Sequence, residues 1–63
     1  MLLIMWIARD FDNSLWIFSD KPYKDGLRWR LPIGDGCCQP LLDKLFPEIQ
    51  WTDDRPTEIR IIR

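Results

Sequence analysis

Histidine is absent from the 63 residues, there are only three glycines, and the two cysteines are neighbours, Cys37-Cys38. Each shortage closes off a class of protein. Without histidine the commonest general base is missing, and no serine stands beside a recognisable substitute, so no catalytic residue is expected. Neighbouring cysteines in ordinary backbone geometry cannot form a disulfide without strain. A tetrahedral zinc site needs spaced pairs with further Cys or His, so neither metal nor cofactor is expected, and the pair reads as two reduced thiols in a loop. There is no block of like charge: ten acidic against nine basic residues leave a formal charge of −1. Bulk electrostatics therefore does not steer the chain to nucleic acid or to an anionic membrane. The apolar start, Met1 to Ala8, is too short to span a bilayer and lacks a charged leader and a cleavage site. The expectation is a cytoplasmic protein with no membrane partner.

What the chain does have is bulk. Hydrophobic residues make up 46% of it and four are Trp, which argues for folding and against disorder. Its length bounds it to a single small domain, residues 1–63, of a size that buries only about 60% of the surface its unfolded chain exposes. The organising stretch is Trp6 to Phe18. Strand-type residues, Met5-Trp6-Ile7-Ala8 and Leu15-Trp16-Ile17-Phe18, flank the polar centre Asp10-Phe11-Asp12-Asn13-Ser14, which predicts a β-hairpin. Asp12 and Asn13 suit a tight turn, and Asn13 is the residue expected to take the left-handed conformation. A two- or four-residue loop would put Leu3, Met5, Ile7 and Arg9 with Trp16 and Phe18, and Leu2, Ile4, Trp6 and Ala8 with Leu15 and Ile17. A three-residue loop would exchange the partners. Both sortings leave two apolar faces, so the hairpin must be covered twice.

Further along, 19–26 reads as a loop punctuated by Pro22 and Gly26. Leu27-Arg28-Trp29-Arg30-Leu31 alternates strictly and predicts a strand, which Pro32 ends. Residues 33–38 read as a turn-rich connection. Residues 39–47 are the one candidate helix, with Pro40 at its first position, Pro47 stopping it, and an apolar stripe of Leu41 with Leu45 and Leu42 with Phe46. Glu48 to Trp51 reads as extended, with Ile49 and Trp51 on one side, and Thr57 to Arg63 as a closing strand. The fold class expected is α+β: a small antiparallel sheet of three to four strands, opened by the hairpin, with one short helix. That helix and the Ile49–Trp51 piece would cover one face of the hairpin, leaving the second bare.

Asp10-x-Asp12-x-Ser14 opens like a calcium loop, but Leu15 and Lys21 stand where the glycine and the final glutamate belong, so it reads as a turn. Gly34-Asp35-Gly36 likewise lacks the rest of a phosphate loop. The constellation with functional content is Arg28 and Arg30 around Trp29, with Trp6 and Trp16, rimmed by Glu58. Arginines interleaved with tryptophans favour protein interfaces and also single-stranded nucleic acid. The near-neutral charge favours protein, as a homo-oligomer or a second species. The structural alternative is that the tryptophans are core and the arginine pair reaches Glu58 or stacks on a ring.

The order of segments adds a resemblance. Trp6-Ile7-Ala8-Arg9-Asp10, Leu15-Trp16-Ile17-Phe18, Lys21-Pro22, the Trp-bearing strand, Leu45-Phe46-Pro47-Glu48-Ile49, Trp51 and Pro56-Thr57-Glu58-Ile59 together resemble a group of small uncharacterised proteins of gut-bacterial prophages and mobile elements. The likeness covers most of the chain. Arg28 to Gln39 departs from it, and Asp12-Asn13 stands where the group reads Asp-Gly. It implies an accessory protein of a mobile element, cytoplasmic in a bacterial host, that acts by binding. With the bare second face of the hairpin, the expectation is an interaction protein that binds a host or defence protein, as an inhibitor would, or that self-associates. No functional residue is carried over from it.

Overall fold

A computed structural model describes residues 1–32, 34 and 36–62. It contains six strands: β1 Leu2–Arg9, β2 Leu15–Phe18, β3 Tyr23–Asp25, β4 Arg28–Arg30, β5 Cys38–Leu41 and β6 Thr57–Ile62. They form two antiparallel sheets, one of four strands in the order β5-β2-β1-β6 and one hairpin, β3-β4. No helix occurs among the described residues, so the fold is all-β and the expected α+β class is corrected. Ile33, Asp35 and Arg63, which the sequence places in the second turn region and the closing strand, lie outside the described residues.

The expected helix becomes a strand and a series of turns. At under two turns it could not recover the cost of its own nucleation. Residues 38–41 instead pair along β2, with Pro40 opposite Trp16 and Leu41 opposite Leu15. An edge strand tolerates a proline, because a residue facing outward owes no N–H to the ladder. Leu41 then turns into the core, while Leu42, Leu45 and Phe46 are exposed. Phe46 adopts a left-handed φ of 51°, a conformation that ends helices.

The N-terminal hairpin forms where the sequence places it, with Asn13 at φ 75°. The backbone closes between Asp10 and Ser14, Asp10 N–H donating to Ser14 O at 2.9 Å and Asn13 N–H to Asp10 O at 3.0 Å. This is the three-residue loop, built on a turn followed by a left-handed residue. Arg9 therefore lies opposite Leu15 and Trp6 opposite Phe18, and the face sorting is the exchanged one. Ile7, Leu15, Ile17, Leu41 and Ile59 share one face, where Ile49 caps them. Ala8 and Phe18 share the other, where Trp29 of β4 covers them with Trp6, Trp16, Leu31 and Trp51 around it.

The second face is thus covered by the chain itself at this end of the sheet. The cover is the β3-β4 hairpin, whose two-residue loop places Gly26 at φ 64°, as a tight primed turn requires. The stretch read as extended, Glu48 to Trp51, joins neither sheet, with turns at Glu48 and Trp51 on either side of Ile49 and Gln50. Its two apolar side chains consequently part, Ile49 to one core and Trp51 to the other.

Candidate interaction surface

Of the six residues singled out by sequence, the fold gathers four around one groove. Trp16, Arg28, Trp29 and Arg30 line a cavity of about 500 Å³ between the β3-β4 hairpin and the β2-β5 side of the sheet, together with Tyr23 and Cys38. The groove is electrostatically mixed, since Asp10 and Asp25 also line it. Arg30 Nε lies 2.7 Å from Asp25 Oδ2 in an exposed pair, an interaction worth little in water. Glu58 does not join them. It accepts from Arg60 Nε at 2.7 Å on its own strand, so the expected reach of the arginine pair to Glu58 is not made.

Trp29 is a core residue. It is buried, its indole N–H donates to Arg9 O at 3.1 Å and its backbone N–H to Asp10 Oδ1 at 2.9 Å. Its ring meets Trp51 edge-on at 6.5 Å and carries the Lys24 ammonium 5.4 Å from its centroid. Lys24 is seated by a 2.6 Å bond to Trp51 O and lies 4.3 Å from that ring. Stacking of a base on Trp29 would require this cluster to open. Trp16 is half-buried, with its N–H directed at Ser14 Oγ.

The residues that organise this end of the molecule are Arg9, which the sequence reading placed only on a hairpin face, and Asp10, which it placed only in the turn. Both are buried. The Arg9 guanidinium donates to five backbone carbonyls: Ile49 at 2.7 Å, Asn13 at 2.8 Å, Asp43 at 2.9 Å, Leu45 at 3.0 Å and Phe46 at 3.3 Å. One planar fork thereby gathers the 43–49 turns over the first face, a task that the five donors of guanidinium suit and ammonium does not. A charged residue closing the apolar run of β1 was the available signal. Asp12 stands outside this network, its carboxyl held below its ordinary pKa by hydrogen bonds from the Ser14 hydroxyl and backbone N–H.

Trp6 and Glu58 lie elsewhere, opposite each other on β1 and β6. Here the sheet thins to a ribbon. β2 pairs with β1 only over Trp6 to Arg9, whereas β6 pairs over Leu2 to Ile7, so Leu2 to Met5 have a strand on one side only. Leu3 faces Ile61 and Met5 faces Ile59 on one surface; Leu2 faces Ile62 and Ile4 faces Arg60 on the other. Leu2, Leu3, Ile4, Ile61 and Ile62 are all exposed, Ile62 at 86%. Lys21 partly screens Trp6, with its ammonium 5.7 Å from the ring. Single exposed apolar side chains are ordinary, but a contiguous group is not.

Comparison with protein-family models, curated proteins and solved structures finds no match. No helix of the described residues is long and apolar enough to cross a membrane.

Proposed function

We propose that this chain is a small protein-interaction module that docks through the bare β1-β6 ribbon. The observation that carries the reading is the contrast between the two ends of one sheet. At the Arg9 end both faces are closed by the chain's own turns and hairpin, while at the Leu2 end five large aliphatic side chains stand exposed on paired strands. Burying such surface on a partner gains roughly 25 cal/mol per Å², and the flanking open edges supply backbone groups for strand addition. Trp6 and Glu58 fall within this surface, whereas Trp16, Arg28 and Arg30 belong to the groove. The reading assigns no catalytic residue. The resemblance to mobile-element proteins would make the setting the cytoplasm of a bacterial host and the partner a host or defence protein, or a second copy.

The test is affinity capture with the full chain, comparing Leu3→Lys/Ile61→Lys with Arg28→Glu/Arg30→Glu. Loss of the captured protein with the ribbon pair and retention with the groove pair supports the reading. The reverse pattern moves the contact to the groove and overturns it.

A further inference from the structure

The two edges of the four-stranded sheet differ. β5 is four residues long and contains Pro40, whereas β6 runs for six residues, Thr57-Glu58-Ile59-Arg60-Ile61-Ile62, without a proline. Short length and proline are devices that blunt an edge against pairing with another chain. β5 has both; β6 has neither. What β6 carries instead is one acid and one base, two residues apart and hence on one face, now satisfying each other at 2.7 Å.

That spacing is self-complementary. When two copies of a strand pair antiparallel about a two-fold axis, the residue on the axis meets itself, and those before and after it meet across the pair. An axis through Ile59 sets Glu58 of each copy against Arg60 of the other, and Thr57 against Ile61. An axis through Glu58 sets the two glutamates against each other and one through Arg60 the two arginines, which is destabilising, and neither opposes Glu58 to Arg60. An axis through Thr57 or Ile61 leaves both charges without an opposite and shortens the ladder. The central register is the one that electrostatics selects.

We propose that β6 pairs with β6 of a second copy of this chain, antiparallel and centred on Ile59, giving one continuous eight-stranded sheet. The proposal rests on the interaction-module reading and names its partner. Side-chain faces match across such a pair, so Leu3, Met5, Ile59 and Ile61 of the two copies share one face with Thr57, Ile59 meeting Ile59 at its centre, and the exposed apolar ribbon becomes the middle of a dimer. The Glu58–Arg60 pair within one strand is exchanged for two pairs between strands.

Sedimentation equilibrium of the full chain tests this with four samples: wild type, E58R, R60E, and an equimolar mixture of the two variants, with circular dichroism confirming that each is folded. The wild type should be a dimer. Each reversal alone should weaken dimerisation roughly tenfold or more, because both cross-axis pairs become like-charged. The mixture should regain the dimer, since the two reversals are complementary across the axis. A wild-type chain that stays monomeric overturns the proposal, and so does a dimer indifferent to both reversals or not regained on mixing. Capture of a different protein through Leu3 and Ile61 then separates that failure from failure of the interaction-module reading.

Discussion

Arg9 is the residue on which the covered end of the molecule turns. Burying a guanidinium costs several kcal/mol, and here five carbonyl acceptors offset it, each charge-assisted bond contributing about 1.5–3 kcal/mol. Arg9→Lys keeps the charge but offers three donors from a single nitrogen, so urea unfolding should show a loss of about 2 kcal/mol or more. Hydrogen exchange of the 43–49 amides should speed up along with it. Unchanged stability would mean that the turns hold themselves. Phe46 makes a second prediction at this scale. Its φ of 51° penalises any residue with a Cβ by about 1 kcal/mol or more, so Phe46→Gly should be more stable than Phe46→Ala, the reverse of the usual ranking. The third concerns pH. Because folding lowers the pKa of Asp12, the stability it contributes is present above the unfolded carboxylate pKa and is lost as pH falls through the lowered one. Carboxyl chemical shifts should place its midpoint below the ordinary aspartate value, and Ser14→Ala should move it back up.

Among the elements, β5 decides between helix and strand. In a helix, Leu41 with Leu45 and Leu42 with Phe46 would be equivalent partners in one stripe. In the sheet, Leu41 packs on the buried cluster while Leu42 is 64% exposed. Leu41→Ala should therefore cost about 2 kcal/mol and Leu42→Ala less than about 0.5 kcal/mol. Equal costs would favour the stripe. The hairpin was legible because its signals are local: alternating apolar arms, a polar centre and an asparagine suited to φ of 75°. The loop length, and with it the pairing of Trp16 and Phe18 with Trp6 and Ala8 rather than Arg9, depends on which turn hydrogen bonds form, which composition does not specify. The Pro40 segment misleads for a similar reason. Proline suits both a first helical turn and an edge strand, and the choice was made by the vacant side of β2.

For the whole molecule, the need for two covers could be read from the hairpin's two apolar faces. What could not be read was that the cover would be divided along the sheet's length, because that depends on contacts between residues such as Arg9 and Ile49, 40 positions apart. The candidate site divides in the same way. Its arginines and Trp16 share a groove, its Trp29 is core, and its Trp6 and Glu58 sit on the ribbon. Size limits what the chain can do about the remainder: a domain this small has little surface left to bury on itself. On the proposed interaction reading, the Leu2 end is completed by a second molecule. The most direct measurement is residue-resolved hydrogen exchange at several protein concentrations. The account predicts that protection of the β6 amides, Thr57 to Ile62, rises with concentration while that of Leu15 to Phe18 in β2 stays constant. Exchange in β6 that is the same at every concentration would contradict it.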